Sequence, residues 1–568
     1  MLAVDLEAER RALEDIHAAA SEKLERFRNL DAVGADALAV EYVDSVVRGA
    51  IEQLQRDLVV FGRIDDAESW RIGLYGVDRG GSQVVIDWRA PFAEGFYQAG
   101  FDDPRGLAGR VSYVGAIDEL FIEDFQSGEA SGSSPLMKEL ERSRGETMRT
   151  AVATLQSEQD ELVRLDPDAR LVLRGGPGTG KTVVGLHRAA WLVYNDRRVY
   201  AADRMLVIGP SDKYLEYVSS VLPTLGEAKI KQSTFDRLLG PSSEIGGRPE
   251  WPDILDRFEA SLYAPQELAI GYKRVGEEAV TAITDRISAA KAPWRDRRTA
   301  LVHALAREFD KPVAEVRAVA ADVMPPCSAR QAWKKLRSKP VLTGLGLDTD
   351  FIDAWLAIEE DGPIFDELKA RFEEAPPKYS HAIVDEAQDI SVMKLRAVER
   401  RSKGLTFVGD DAQVSEPGAL GLRAIAASVG VEPSELRTAY RMSSEIADWL
   451  NEWAVAHGLP AVELLGIRPT GVPVAQTDSL DAAEREAVNS ARSWMRIDHE
   501  SVWTHKGIEY DIVIVDGRDM NPAEVYLAAS RAAHELVLYE VTPGAVTSDP
   551  TSSSWPCLLY TSPSPRDS

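Results

Sequence analysis

The chain has 568 residues, of which 44% are hydrophobic and 28% are charged; it is too long for one core, and about three to five soluble domains are expected. No apolar run reaches the roughly eighteen residues that a membrane span needs, and the acidic N-terminus lacks a signal-peptide pattern. The net charge of −27 argues against a broad polyanion-binding surface and favours either a basic protein partner or simple solubility. Two cysteines without metal-ligand spacing fit a reducing cytoplasm.

The N-terminal stretch is amphipathic. Residues 2–28 place apolar side chains at threes, fours and a seven, which predicts a helix with coiled-coil spacing. A turn and a second periodic stretch at 43–58 follow, so residues 1–60 are predicted to form an antiparallel coiled-coil arm about 40 Å long. Two interpretations remain open. The helices can pack flat on the body, or they can project as a probe with Asp31 and Asp36 at the tip.

Residues 61–126 differ from the N-terminal stretch in composition and pattern. Aromatic and β-branched residues alternate with turn signals there, which predicts a small β-rich domain of short strands. A glycine- and serine-rich linker follows at 127–135. Helical spacing returns from residue 136 and includes Gln159. Since a side-chain amide offers both a donor and an acceptor, Gln159 is a candidate for binding adenine, although most glutamines are surface polar groups.

The most informative motif is the stretch at 175–182, which reads G-x-x-x-x-G-K-T between an apolar stretch of strand length and a stretch of helical periodicity. Backbone amides of such a loop and the following helix N-terminus bind phosphates. Lys181 is expected to reach the outer phosphates and Thr182 to hold Mg²⁺. The candidate nucleotide-binding residues of this phosphate loop are Gly175, Gly176, Pro177, Gly178, Thr179, Gly180, Lys181 and Thr182.

The segment after the loop contains the candidate carboxylates. Residues 241–374 have a helical, charged pattern without catalytic clusters and predict an inserted helical domain whose tryptophans belong to its core. An apolar strand then ends at Asp385 and Glu386, candidates for holding Mg²⁺ and for orienting the attacking water, respectively. The next strand ends near Gln413, a candidate sensor of the terminal phosphate. The plain alternative for two acidic residues after a strand is an ordinary helix N-terminus.

The order of these elements resembles that of superfamily 1 helicases of the UvrD/Rep type. The resemblance is carried by Gln159, the phosphate loop, the D-E-A-Q box at 385–388 and the G-D-D-A-Q box at 409–413. It implies an α/β fold with two RecA-like P-loop lobes that bind ATP and Mg²⁺ between them, here joined to an N-terminal helical hairpin, a small β-rich domain and a helical insertion. The first lobe is expected at 136–240 and 375–430.

Three motifs in the second half extend the resemblance. Tyr440 and Arg441 match the Y-R motif, in which the tyrosine stacks on adenine and the arginine touches the γ-phosphate. Glu509 matches the glutamate of the K-G-L-E-F motif, which meets the nucleotide, and Arg531 matches the second arginine finger of the A-x-T-R-A motif. The residues to which catalytic roles are assigned in this way are Lys181, Glu386, Gln413, Arg441 and Arg531.

The N-terminal part also resembles one family in particular. The residues F-G-R-I-D at 61–65, V-I-D-W-R-A-P-F at 85–92 and the pattern of 136–164 are similar to those of the HelD family. HelD proteins are bacterial RNA-polymerase-associated ATPases. The resemblance implies that the arm enters the secondary channel of the polymerase and that the insertion reaches toward the primary channel. It also implies that ATP turnover removes or recycles polymerase from nucleic acid.

Two alternatives remain open. A helicase that translocates on single-stranded DNA stacks bases on aromatic side chains, yet residues 414–421, where the UvrD type carries an aromatic-rich run, contain none. The acidic net charge likewise argues against a helicase that translocates on single-stranded DNA. An interaction protein with an inactive ATP site is disfavoured, because all the motif residues named above are present.

The C-terminal part carries two further expectations. Residues 431–548 are expected to form the second lobe, which looks shortened because a short interval separates residue 468 from a strand at 502–505. Residues 549–568 resemble translated adapter DNA and are interpreted as a non-native tail.

Overall fold

The structure is a computed structural model that describes residues 4–28, 60–113, 119–132, 134–136, 155–225, 227, 229–290, 292–374, 376–490 and 492–541. The chain divides into two compact units, Met1–Arg441 (unit 1) and Met442–Ser568 (unit 2). None of the helices within the described ranges is long and apolar enough to cross a membrane.

Unit 1 begins with a helix and a sheet. Its first elements are α1 (Leu6–Arg28), β1 (Val60–Asp65), β2 (Ser69–Gly73), β3 (Val77–Arg79), β4 (Ser82–Asp87), a 3₁₀ turn (Pro91–Ala93), α2 (Glu94–Gln98), β5 (Gly109–Tyr113), β6 (Leu120–Asp124) and β7 (Glu129–Ser131). The seven strands form one sheet in the order β3-β4-β2-β1-β5-β6-β7, with a parallel β2–β4 pair among antiparallel neighbours. The predicted small β-rich domain is thereby confirmed.

Helix α1 lies against this sheet. Ile16, Ala19 and Ala20 are buried in one apolar cluster with Val77 and other strand residues. The buried Glu9 accepts hydrogen bonds from the guanidinium groups of Arg63 and Arg71 and from the hydroxyl of Tyr113. For the described part of the predicted arm, the structure therefore favours the packed interpretation. The second predicted helix and the tip residues Asp31 and Asp36 lie outside the described residues.

The phosphate-loop region follows. Its elements before the insertion are α3 (Ser157–Val163), β8 (Leu171–Gly175), α4 (Lys181–Asn195), a 3₁₀ turn (Ala202–Arg204), β9 (Met205–Ile208), α5 (Asp212–Val221), a 3₁₀ turn (Leu222–Leu225), β10 (Lys231–Ser233) and α6 (Phe235–Leu239). Helix α4 is buried along most of its length, and His187 and Arg188 are buried within it together with its apolar residues.

The insertion is a helical domain with its own core. Its elements are a 3₁₀ turn (Ile245–Gly247), α7 (Trp251–Ala260), β11 (Leu268–Ile270), β12 (Lys273–Val275), α8 (Glu277–Ser288), α9 (Trp294–Phe309), α10 (Val313–Val323), α11 (Ala329–Leu336), α12 (Lys339–Gly344), α13 (Thr349–Ala357) and α14 (Gly362–Phe372). Trp251, Trp294 and Trp355 are fully buried and Trp333 is half-buried against the same cluster, so the prediction that the tryptophans form the core is confirmed.

Unit 1 closes with the strands that complete its parallel sheet. The elements are β13 (Tyr379–Val384), a 3₁₀ turn (Ala387–Asp389), α15 (Val392–Arg401), β14 (Ser402–Gly409), a 3₁₀ turn (Asp411–Gln413), α16 (Leu422–Val429), β15 (Ser434–Leu436) and β16 (Thr438–Ala439). The six-stranded sheet has the order β10-β9-β13-β14-β8-β15, and all its neighbouring strands run parallel. The phosphate loop and both boxes follow strands β8, β13 and β14, so parallel pairing brings them to the same edge.

The β-rich domain is joined to the phosphate-loop region through the D-W-R segment at 87–89. Trp88 is fully buried, and its ring lies 5.3 Å from the ring of His187 on α4. Arg89 pairs with Asp87 at 2.9 Å and with Glu227 at 3.0 Å. The contact is completed by Arg164, the residue directly after α3, which donates to the carbonyl of Trp88 and pairs with Asp160. We call this set of residues the β joint.

Unit 2 contains a smaller parallel sheet. Its elements are α17 (Ser444–Ala456), β17 (Leu465–Gly466), β18 (Ala475–Thr477), α18 (Leu480–Asn489), β19 (Trp494–Ile497), a 3₁₀ turn (Val502–His505), β20 (Tyr510–Asp516), α19 (Pro522–Ala529) and β21 (Ala532–Tyr539). The strands β18-β21-β20-β19 form a four-stranded sheet whose neighbours are parallel.

Two predictions from the sequence concern unit 2. The predicted strand at 502–505 is wrong, because the side chain of Asp498 accepts from the backbone of Ser501 and starts a turn that continues as 3₁₀ helix. The interval from residue 468 to 502, expected to be short, holds β18, α18 and β19.

Candidate functional site

The phosphate loop turns tightly between β8 and α4, and its eight predicted residues form one continuous connection from Gly175 to the first turn of the helix. Gly180 has φ 83°, in the left-handed region that favours glycine. A Cβ at this position would also lie 2.5 Å from Nε2 of Gln159. The loop thus needs glycine here both for its turn and for the close approach of Gln159.

Two loop side chains are directed at the loop itself. The Nζ of Lys181 donates to the carbonyl oxygen of Gly176 at 2.7 Å, and Oγ1 of Thr179 donates to the same oxygen at 2.9 Å. A phosphate oxygen is a stronger acceptor for an ammonium than a neutral carbonyl. The lysine can therefore exchange its loop acceptor for a phosphate at the start of α4.

The candidate magnesium ligands are in contact. Oγ1 of Thr182 donates to Oδ2 of Asp385 at 2.6 Å. Burial raises the pKa of Asp385, and the neighbouring carboxylate of Glu386 raises it further. A divalent cation would offset both effects, and a hydroxyl with a carboxylate oxygen is a donor set that suits Mg²⁺. No three His, Cys, Asp or Glu side chains in the described ranges form a metal site; Mg²⁺ needs none, since phosphates and water supply its other ligands.

Glu386 is held in a distinctive geometry. Its backbone has φ 50°, which is uncommon for a residue other than glycine. Its Oε2 accepts a hydrogen bond of 2.7 Å from Nε2 of Gln388, whose own Oε1 accepts from the backbone N–H of Asp410 at 3.0 Å. The D-E-A-Q box and the G-D-D-A-Q box are thus joined through one buried amide.

Asp410 is a site residue that sequence reasoning missed. Its carboxylate accepts from Nε2 of Gln413 at 2.8 Å. Burial raises the pKa of Asp410, and the positive charge of Lys181 opposes that rise. The predicted phosphate sensor Gln413 is therefore anchored to Asp410, beside the phosphate-loop lysine. The second letter of the G-D-D-A-Q box was the available signal.

Two buried arginines, which were not predicted, hold the elements around the site together. Arg174 immediately precedes the loop and pairs with Asp411 at 2.7 Å and with Glu435 at 2.7 Å. Arg188 of α4 is fully buried and donates to the carbonyls of residues 163, 165 and 166, which close α3. Burial lowers the pKa of Arg188 to about 10, well above neutrality.

The adenine candidates lie beside the phosphate loop. Nε2 of Gln159 donates to the carbonyl of Thr179 at 3.0 Å, and its Oε1 accepts from the backbone of Gln156 at 3.1 Å. The hydroxyl of Tyr440 donates to Glu158 at 2.7 Å, and its backbone N–H donates to the carbonyl of Gly178. The structure brings Gln159 and Tyr440 to the same loop. Their contact with adenine stays a prediction.

The remaining candidates are placed as follows. Arg441 ends unit 1 with an exposed side chain. Within unit 2, Glu509 is half-buried shortly before β20. Arg531 is buried directly before β21 and donates to Oγ of Ser530 at 2.8 Å. The roles of these three residues remain predictions.

Comparison with known proteins identifies two segments. Residues 1–120 match the family described as "DNA helicase IV HelD, N-terminal domain", and residues 159–419 match the family described as "AAA domain", which implies nucleotide binding. No curated protein matches the sequence.

Solved structures of two viral helicases are also similar. The complex of arterivirus nonstructural protein 10 (helicase) with DNA is 11% identical, with 67% of this chain and 63% of that chain covered and a TM-score of 0.30. The PRRSV helicase is 12% identical, with 77% and 62% covered and a TM-score of 0.29. The chain thus spans about three fifths of the length of these proteins.

Proposed function

Because the chain combines a HelD-type N-terminal domain with a UvrD/Rep-like superfamily 1 helicase-type P-loop ATPase region, we propose that it hydrolyses ATP with Mg²⁺ in the bacterial cytoplasm. The turnover would release or recycle bacterial RNA polymerase from nucleic acid. The observation that carries the ATPase proposal is the contact of Thr182 with Asp385, beside Lys181 and Glu386. These groups come from distant parts of the sequence and meet at one edge of the parallel sheet.

Each residue of this cluster has a chemical task. Thr182 and Asp385 would hold Mg²⁺, which supplies charge neutralisation for the phosphates when bound. Lys181 binds phosphate oxygens through its ammonium. Glu386, oriented by Gln388, accepts a proton from the attacking water, and Gln413 positions that water or the terminal phosphate.

Arg531 provides the sharpest test of the hydrolysis mechanism. Because an arginine finger acts on charge that develops in the transition state, Arg531→Ala should lower kcat about 10³-fold or more and leave the nucleotide Kd within a few fold. Single-turnover hydrolysis and equilibrium binding of labelled ATP measure the two effects. Arg485→Ala is the matched control, since Arg485 belongs to the same unit and is exposed on α18. Equal losses in binding and turnover would contradict the role.

The polymerase proposal rests on the N-terminal part. Residues 1–120 match the HelD N-terminal family, and the net charge of −27 suits a partner with basic surfaces better than a nucleic acid. We propose that the acidic residues Asp31 and Asp36, which lie outside the described residues, contact the polymerase. Nucleic acid would be a secondary partner.

The partner is tested by retention of the full chain on immobilised bacterial core RNA polymerase. Deleting residues 1–60 is a poor test, because it would remove Glu9 from the buried Arg63 and the half-buried Arg71. We instead expect that replacing Asp31 and Asp36 by alanine lowers retention at least about tenfold, as loss of charged interface contacts does. The matched control replaces the exposed Asp481 and Glu486 on α18, which removes the same charge and should leave retention unchanged.

The same experiment separates the competing function. If the polymerase does not retain the wild-type chain and single-stranded DNA stimulates ATP hydrolysis, the chain is a superfamily 1 helicase that translocates on DNA. The description of the matched family as "DNA helicase IV" favours that outcome for the family. Retention that depends on Asp31 and Asp36 without DNA stimulation would support the polymerase proposal.

A further inference from the structure

The helical insertion is attached through two segments that are locked to each other. Oδ2 of Asp361 accepts from the backbone of Ser243 at 3.0 Å and from its hydroxyl at 2.7 Å, and Oδ1 accepts from the backbone of Ile364 at 3.0 Å. The backbone of Gly362 also donates to the carbonyl of Pro241 at 2.6 Å. We call residues 241–247 and 361–364 the insertion root, since these bonds make them one structural piece.

The root touches the loop that follows the G-D-D-A-Q box, residues 414–421, which we call the sensor loop. A Cβ on Gly247 would lie 2.9 Å from the carbonyl oxygen of Pro417, and a Cβ on Gly418 would collide with the backbone of Gly247. The two backbones are therefore in direct contact with no room for a side chain. A displacement of the sensor loop toward the root must move the root.

The other side of the sensor loop is held by the D-E-A-Q box. Asp389, the residue after this box, accepts from the backbone N–H of Ser415 at 2.7 Å and from its hydroxyl at 2.7 Å. Main-chain bonds add to this, because Leu420 donates to Ile390 and Gly421 donates to Gln388. One short loop thus bridges the candidate catalytic carboxylates and the root of the insertion.

An open cleft beside the sensor loop leaves the loop room to move. A cleft of about 140 Å³ opens where the root, Asp389 and the sensor loop meet, with Ser243, Lys394 and Glu416 among its walls. Close contact is thus concentrated at Gly247 and Gly418, while polar side chains line the space beside it. The loop also has no aromatic residue to stack a base, which leaves it available for another task.

We propose that the sensor loop transmits the occupancy of the nucleotide site to the helical insertion, and that Asp389 is a positioning residue in this coupling. The inference rests on the proposed ATPase function. A phosphate at Lys181 and Gln413 changes the hydrogen bonds of Asp410 and Gln413, directly before the loop. Asp389 holds the beginning of the loop, so the change reaches Pro417 and Gly418 and displaces the root. By linkage, a partner that holds the insertion changes nucleotide affinity.

Hydrogen–deuterium exchange on the full chain, with and without Mg²⁺, ADP and aluminium fluoride, tests the coupling. In the wild type we expect the exchange rates of the backbone amides of residues 242–247, 415, 416 and 418 to change at least about threefold on nucleotide binding. Asp389→Ala should keep nucleotide affinity within about threefold and lose the response of the root. Asp389→Asn should restore the response, because the carboxamide oxygen still accepts from the backbone of Ser415.

A glycine pair gives an independent variant. Gly418 and Gly430 have φ 76° and 75°, so alanine meets the same backbone restriction at both. A Cβ on Gly418 collides with Gly247, whereas a Cβ on Gly430 has no atom within 4 Å. Gly418→Ala should therefore abolish or shift the nucleotide response of residues 241–247, and Gly430→Ala should preserve it.

The outcomes distinguish this inference from the proposed function. If the wild type binds nucleotide but the root amides do not respond, or if Gly418→Ala and Asp389→Ala respond like the wild type, the coupling is overturned while the ATPase proposal stands. If the wild type binds no Mg²⁺-nucleotide, the proposed function fails and the coupling fails with it.

Discussion

The phosphate-loop region carries two attached domains, and they are attached in opposite ways. The β-rich domain shares one apolar cluster with the phosphate-loop helix, in which Trp88 and Phe96 pack together with Leu173 and Trp191. The insertion instead has a separate core, which reaches the ATPase region mainly through Met393 and the half-buried Val392 of α15. One attachment is thus a continuous hydrophobic core, and the other is a narrow contact.

Both attachments also carry buried ion pairs. At the insertion, Asp366 and Glu367 of α14 meet arginines of α15, with Arg400 bonded to both and Arg401 to Asp366 at 2.5 Å. These pairs and the insertion root form what we call the insertion joint. In the β joint, Arg89 and Arg164 are bonded to carboxylates and carbonyls that are themselves buried. Because the ion pairs are buried at both joints, the two attachments differ in their apolar contacts and not in their polar ones.

The comparison teaches which domain can move. A domain that shares a core with the phosphate-loop helix should follow it as one body, since packed interiors transmit displacement. A domain with a separate core, which meets its neighbour through a narrow apolar contact beside a polar cleft, has less packed core to rearrange when it rotates on its root. We therefore expect nucleotide-driven motion in the insertion and not in the β-rich domain.

The largest predicted effect tests whether the cores are separate. Trp88→Ala and Trp355→Ala each remove a fully buried indole, and each should cost about 3–5 kcal/mol of unfolding free energy. Loss of Trp88 should lower the urea concentration at which labelled ATP is released, because its core includes α4. Loss of Trp355 should unfold helices of the insertion, measured by circular dichroism, while ATP binding persists.

The control for this pair is built into the chain, since both variants remove the same side chain from a site of zero exposure. If Trp355→Ala releases ATP at the same urea concentration as Trp88→Ala, the two cores unfold as one cooperative unit. The difference between the β joint and the insertion joint would then not produce separate unfolding of the two cores.

The next effect concerns acid. Burial opposes ionisation of Glu367, but Arg400, Arg396 and Arg371 outweigh it and lower its pKa to about 2. Because the folded pKa lies below the unfolded one, this stabilisation is present above about pH 4.5 and is lost as the pH falls toward 2. At about 1.4 kcal/mol per pKa unit, the total is about 3 kcal/mol. Calorimetry at pH 3 should therefore show an early transition from the insertion.

The β joint should respond to acid in the opposite direction. Burial raises the pKa of Glu227 above its usual value despite the opposing charge of Arg89. The folded state then favours the protonated carboxyl, so the contribution of this group is largest at low pH and is lost as the pH rises through its folded pKa.

Glu367→Gln should reproduce the early transition at neutral pH. An insertion that melts together with the β-rich domain at pH 3 would contradict the assignment.

Much of the catalytic cluster could be predicted from sequence, because each motif is local. The phosphate loop, Asp385 and Gln413 each follow a strand of a parallel sheet, and the edge where such strands end is shared. The bonds between motifs could not be predicted. The link from Glu386 through Gln388 to the backbone of Asp410 depends on β14 lying between β8 and β13, which no single motif contains.

The contacts that attach α1, the β-rich domain and the insertion were harder to predict from the sequence, for a different physical reason. An amphipathic helix such as α1 has the same apolar stripe whether it packs on a sheet or on a second helix, so periodicity left both interpretations open. The D-W-R segment at 87–89 carries part of the family resemblance, but its place in the β joint depends on partners far away in sequence, Glu227 among them. The glycine contact of Gly247 with Gly418 has no sequence signature at all.

The smallest predicted effect separates the joint from the far surface of the insertion. Tyr272 lies in the turn between β11 and β12 and is 95% exposed, so Tyr272→Ser should change the unfolding free energy by less than about 0.5 kcal/mol. ATP turnover and the nucleotide response of the root should also stay unchanged, because neither the root nor the sensor loop includes this residue. Any loss of polymerase retention by this variant would then report a contact of the insertion itself. A large change in unfolding free energy, measured by urea titration, would mean that the hairpin is part of the packed core.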